Sequence, residues 1–176
     1  MYLRLSPDEE SIKDIFDSFF DAECSIERVR NAEESGFDAT AWERFIETGG
    51  PGMCLPESCG GGGADLTTAA IVANLLGTYV APIPFIEHVV AARLLASLDE
   101  SNANLPLLAT GEMIASLALQ SLQDSTSAIV PAGAIANYII GLRGEEIVVA
   151  ENTIDASALR NTANLPIARH NFDDAI

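Results

Sequence analysis

Residues 53–98 read MCLPESCGGGGADLTTAAIVANLLGTYVAPIPFIEHVVAARLLASL, and this stretch decides the fold. After the tetraglycine Gly60–Gly63, Asp65 is a helix N-cap, and Ala69, Val72, Ala73 and Leu76 follow it at helical spacing. The run Ala81-Pro82-Ile83-Pro84 must break that helix, because proline lacks the N–H that the ladder needs. A second helix then spans Phe85 to Leu98. Thr67 to Ile86 carries no formal charge over about the length of a membrane span. It is rich in Ala and Thr, contains Asn74 and Gly77, and is broken by two prolines, so it reads as a buried helix pair and not as a membrane span. Helices apolar on nearly all sides belong inside a bundle, and these two are predicted to form its centre.

Upstream, Ser6-Pro7-Asp8-Glu9 is a capping box with proline at the first helical position. Behind it Ile12, Ile15, Phe16, Phe19 and Phe20 fall on one face, with acids on the other. A second helix is predicted from Ser25 through Ile26, Val29 and Ala32, stopped by Gly36. Asp38 caps a third, which carries Trp42, Phe45 and Ile46 and ends at Gly49-Gly50-Pro51. Beyond Asn104 the pattern changes. Met113–Leu119, Ser127–Pro131 and Tyr138–Leu142 are short apolar runs between turn residues, and Arg143-Gly144 leads into a hairpin strand, Glu145–Ala150. Helices followed by strands give an α+β class: an N-terminal helical bundle (1–104) followed by an incomplete antiparallel β domain (105–176). Too few strands follow residue 105 to close a β domain alone, so the rest is expected to be missing or supplied by another chain.

Nine basic residues against 26 acidic ones give a net charge of −17 and a pI near 4.2. Nucleic acid and anionic membrane surfaces are thereby disfavoured as partners. Three cysteines, Cys24, Cys54 and Cys59, are too few for a disulfide scaffold and lack metal-ligand spacing, so they read as structural, reduced cytosolic thiols. Met1–Glu10 is acidic and has no apolar core, so a cytoplasmic location is expected. The tetraglycine is no phosphate cradle: Ala64-Asp65 stands where a P-loop needs Lys-Ser/Thr. It reads as a turn that allows close backbone passage. His88 and His170 have no nucleophile or acid at suggestive spacing and read as satisfied imidazoles. Glu87 is the one acid in an apolar segment. It reads as an edge position facing solvent; against a packed neighbour its pKa would rise.

The run Met53 to Leu66, the alanine-rich helix and the Ala81–Phe85 turn together resemble the N-terminal helical domain of acyl-CoA dehydrogenases. Leu105-Pro106-Leu107-Leu108-Ala109-Thr110-Gly111-Glu112 is similar to that family's entry into its middle β domain, and Val130–Ala136 to its next strand and turn. The resemblance implies an FAD-dependent α,β-dehydrogenation of an acyl-CoA thioester, of a fatty or steroid side chain, with a base from a C-terminal domain outside this sequence. It implies flavin contacts at Leu119, Gln120 and Ser121, where Gln120 stands at the family's hydroxyl position and Ser121-Leu122 replaces its Glu-Pro. It also implies acyl contacts at Phe85, Glu87 and His88, while Phe16, Phe19, Phe20 and Trp42 read as core first and acyl pocket second. The altered flavin motif resembles the flavin-site-degenerate subunit of heteromeric steroid-catabolic members, so a homologous partner subunit and an oligomer are expected. The alternatives are a non-catalytic structural or regulatory partner, or a free-standing helical interaction domain.

Overall fold

Helix α1 (Pro7–Glu23) begins with a closed capping box: Ser6 Oγ accepts from the Glu9 N–H at 3.3 Å, and the Glu9 carboxylate accepts from the Ser6 N–H at 2.6 Å. The computed structural model describes residues 4–122, 127–151, 157–173 and 175. Helix α2 (Ile26–Asn31) is capped by Ser25, and α3 (Ala39–Glu47) by Asp38, whose carboxylate also meets Arg28 at 3.0 Å. A short 3-10 turn (Glu57–Cys59) precedes α4 (Leu66–Tyr79), α5 (Phe85–Leu98) and α6 (Leu105–Thr110). Asp65 caps α4 through the Thr68 N–H at 2.9 Å. Phe16, Phe20, Phe45, Trp42 and Phe85 form one aromatic cluster, with Phe85 edge-on to Phe45 at 5.4 Å. Ile15, expected on the inner face, is 59% exposed, because α1 turns only Phe16 and Phe20 fully inward.

The expectation that α4 and α5 pair along the centre is corrected. Helix α4 packs chiefly on α1, where Tyr79 donates to Asp17 at 3.0 Å, and α5 packs on α6 and the first strand. Each keeps apolar residues at the surface, among them Leu66 and Val80 on one side and Ile86, Val90 and Leu98 on the other. At the end of α4 the Ala81 N–H donates to the Leu76 carbonyl, which forces Val80 into the left-handed region at φ 51°. Glycine is the usual residue there, and a branched side chain costs about 1 kcal/mol or more. Among the described residues no helix is long and apolar enough to cross a membrane.

Strands β1 (Ala115–Leu117), β3 (Tyr138–Arg143) and β4 (Glu146–Glu151) form one sheet in the order β1-β3-β4, and β2 (Ser127–Val130) pairs with β5 (Ala168–Asn171) in a second. The α+β class stands. Pairs β3/β4 and β2/β5 are antiparallel, whereas β1 runs parallel to β3 with Ala115 opposite Tyr138. The hairpin turns at Gly144-Glu145, one residue later than expected, with Gly144 at φ 63° and Arg143 facing Glu146. Core residues of both units merge: Phe20, Phe45, Val72 and Val89 belong to the same buried cluster as Ala128, Val130, Ile139 and Phe172.

One side chain fastens helix to sheet. His88, fully buried on α5, accepts the Ala115 N–H of β1 at Nδ1 (3.1 Å), so Nε2 carries the proton and donates to the Leu108 carbonyl of α6 (3.0 Å). Trp42 sits edge-on to its ring at 5.5 Å and donates its indole N–H to the Gly111 carbonyl. Burial lowers the His88 pKa to about 4. The unfolded chain takes up this proton near pH 6.5 and the native chain does not, so this part of the stability is whole above pH 6.5 and is lost as pH falls towards 4. Thermal melts across this window should show wild type losing about 3 kcal/mol more than His88→Gln. Parallel pH curves for the two proteins would remove the histidine from this account.

Candidate functional site

The seam between the helices and the β unit encloses a cavity of about 230 Å³. One wall is the Ala81–Pro84 turn with Ile86 and Glu87; the other is Pro131, Ala132 and residues 165–167. An adjoining cavity of about 540 Å³ shares Gly36, Leu76, Ala81, Pro82 and Leu165 with it and opens past Arg30 and Glu33. The larger volume is within the range of small-molecule pockets, and its lining is mostly apolar. Three non-glycine residues have positive φ among the described residues: Val80, Ala132 and Asn164. All three line these two cavities. Backbone strain of this kind gathers where ligands are held.

Helix rotation sorts the residues expected to contact substrate. Phe85, His88, Val89 and Ala92 share the core face of α5, so Phe85 and His88 pack inside and present nothing to the seam. Glu87 stands off that face. Half-buried, it lines the smaller cavity, and burial raises its pKa above the usual carboxylate value. The solvent-facing reading of Glu87 is therefore corrected: Pro131 and Ala132, distant in sequence, come over it. Its carboxyl meets no partner but its own main-chain N–H among the described residues.

The residues expected at the flavin lie elsewhere, at the exit of β1. The Ala118 N–H donates to Ile140 and the Leu122 N–H to Leu142, both at 2.8 Å, and the segment between these anchors bows outwards. Leu119 is 73% exposed, and the Gln120 amide and Ser121 hydroxyl are at the surface without partners among the described residues.

The glycine-rich loop has no spare main-chain donors from Gly60 to Ala64 with which to cradle an anion. Its donors are spent on its own carbonyls: Gly61 N–H to Pro56, Gly62 to Gly52, Gly63 to Leu55 and Ala64 to Met53. A Cβ at Gly61 would lie 2.3 Å from the Leu55 oxygen, which is why glycine stands there. Arg93 braces the loop through the carbonyls of Cys54 and Ala64. All three thiols are free and buried, and burial pushes the Cys24 pKa up to about 11. No cluster able to hold a metal occurs among the described residues. His170 is buried, with Nε2 2.7 Å from the Gly133 carbonyl.

The family model of the acyl-CoA dehydrogenase N-terminal domain matches residues 6–112. The chain belongs to the acyl-CoA dehydrogenase family. It is 29% identical over 146 residues to acyl-CoA dehydrogenase IpdE2 of Mycolicibacterium smegmatis, covering 81% of this chain and 45% of that protein. Its fold is that of the ChsE4-ChsE5 complex of Mycobacterium tuberculosis, with a TM-score of 0.84 at 20% identity over 96% of this chain and 54% of the matched one. The steroid ACAD Tcur3481-Tcur3483 gives 0.82 at 19%, over 96% and 55%. The chain thus spans about half the length of these relatives.

Of the seam residues, Leu165–Ile167 are not singled out by the sequence, and Gly36 is legible only as a helix stop. Gly36, at φ 67°, lies so close to the 164–166 segment that a Cβ would fall 2.1 Å from the Asn164 oxygen. Gly36→Ala should therefore cost about 2 kcal/mol or more, from left-handed strain and the clash together. Its melting temperature should drop and residues 159–167 should become more open to proteolysis. An unchanged melt would show that the seam is not closed at this point.

Proposed function

We propose that this chain forms the acyl-facing helical wall and the flavin-side β surface of an acyl-CoA dehydrogenase, completed by a homologous flavin-bearing subunit. The observation that carries the reading is the seam: a mostly apolar cavity pair, walled by all three strained non-glycine residues among those described, with Glu87 on the smaller cavity and Arg30 and Glu33 at the mouth of the larger. The substrate is an acyl-CoA thioester, fatty or steroid, dehydrogenated between its α and β carbons. FAD, when bound, supplies the acceptor for the β hydride. This chain's part is to enclose the acyl group: Ile86, Pro131, Ala132 and Leu165 exclude water from it. Gln120 and Ser121 would hydrogen-bond the polar edge of the flavin from the exit of β1.

A second reading, a structural or regulatory partner that touches neither substrate nor flavin chemistry, is favoured by one observation. Gln120 and Ser121-Leu122 replace the family's short hydroxyl and Glu-Pro, and Leu122 is turned into the core. A relative that is itself a complex, ChsE4-ChsE5, supports a partner subunit under either reading.

Absorbance tests the need for a flavin-bearing partner, and activity of seam variants separates the two readings. The chain purified alone should be colourless, and co-expression with a homologous subunit from a neighbouring gene should give a yellow complex. That complex should reduce an artificial electron acceptor when acyl-CoA is added. A yellow, active preparation of this chain alone would contradict the need for a partner, and a colourless co-purified complex would leave an interaction domain only. Activity unchanged by substitutions at Ile86 or Leu165 would favour the structural partner.

A further inference from the structure

The sheet β1-β3-β4 has two edges, and they are finished differently. At the β1 edge the Ala115 N–H meets His88 of α5, and the Ser116 hydroxyl donates to the Pro131 carbonyl. Nothing among the described residues closes the β4 edge. The hydrogen bonds of β3 show which groups lie along it. The Tyr138 N–H and the carbonyls of Ile140 and Leu142 are used by Ile114, Ala118 and Leu122, on the side away from β4. Opposite them on β4 stand Glu151, Val149 and Ile147, whose main-chain groups therefore point away from β3. Those N–H and C=O groups have no partner among the described residues.

Open edges in soluble proteins are usually kept short, or are broken by proline, lysine or a bulge. Strand β4 has none of these devices. It reads Glu-Ile-Val-Val-Ala-Glu, and its register runs unbroken from Arg143 opposite Glu146 to Tyr138 opposite Glu151. Both faces are already packed, Val148 in the main core and Val149 against the second cluster, so the edge is what remains to be covered. Such a strand is a template for another.

Charge decides what kind of strand fits. Exposed Glu145, Glu146 and Glu151 bracket the apolar centre. In a two-fold antiparallel pair of β4 with its own copy, each end would gather acids from two chains of net charge −17. A strand with lysine or arginine at both ends would meet opposite charge at both. Independently of the acyl seam, we propose that the β4 edge receives an extended, antiparallel strand of a different polypeptide, β-branched at its centre and basic at its ends. The outward main-chain groups of Ile147, Val149 and Glu151 supply affinity, and the bracketing acids set the register.

The test titrates the purified full chain with the end-blocked peptide Lys-Thr-Val-Thr-Val-Lys. One control peptide carries glutamate at both ends, and another is N-methylated throughout its Thr-Val-Thr-Val centre. The lysine peptide should bind about tenfold or more tightly than either control. It should slow amide exchange at Ile147, Val149 and Glu151 and leave Val148 and Ala150, which face β3, unchanged. Ile147→Pro removes an outward N–H without touching the ladder to β3 and should abolish binding. Glu151→Lys, at an exposed position, should weaken it several-fold. Melting curves of both variants check their folding. Equal binding of either control, no binding of the lysine peptide, or dimerisation of wild type through β4 overturns the proposal.

Discussion

The architecture depends on one imidazole closed off from water. His88 can satisfy an N–H of β1 and a carbonyl of α6 only as the neutral Nε2–H tautomer. This fixes the depth and rotation of α5 against the sheet, and no other side chain bridges those two elements in the same way among the described residues. Protonation would set two N–H groups against each other at Ala115. The Trp42 indole closes the same corner by tying α3 to the carbonyl after α6. Once α5 is fixed, its other face is fixed too: with Phe85 and His88 inside, Ile86 and Glu87 must meet the β unit.

That geometry accounts for the strain at the seam. Helix α4 ends through a left-handed Val80 so that the chain can turn in Ala81–Pro84 and deliver α5 at the required angle. Across the cavity Ala132 and Asn164 adopt positive φ to bring their loops over the same space. The backbone there is shaped around a volume, whereas the glycine-rich loop, a more familiar sign of ligand binding, is folded on itself with its donors consumed.

Features set by near neighbours were legible in the sequence. The caps Ser6, Asp38 and Asp65, the proline break and the bounds of α5 each follow from residues within one or two turns. The α+β order and the family resemblance needed little more. What could not be read depends on distant pairings: the parallel match of β1 to β3 spans an intervening strand and turn, and the close approach of Gly36 to Asn164 joins residues more than a hundred positions apart. The candidate site suffered in the same way. Glu87 was identifiable as an unusual acid, yet its surroundings come from Pro131, Ala132 and Leu165. Phe85 and His88 entered as acyl contacts through the family resemblance, and the rotation of α5 places them in the core.

The buried thiols have a practical consequence. Cys24 lies at the corner between α1 and α2, while Cys54 and Cys59 lie in the glycine-rich loop; each is within a few per cent of complete enclosure, and burial disposes Cys24 and Cys54 to keep their protons. An alkylating reagent meets the thiolate only when the surrounding structure opens. The three sulfurs are thus built-in clocks, and their separate modification rates, read by mass spectrometry, would time the breathing of the helical corner against that of the loop without any engineered label.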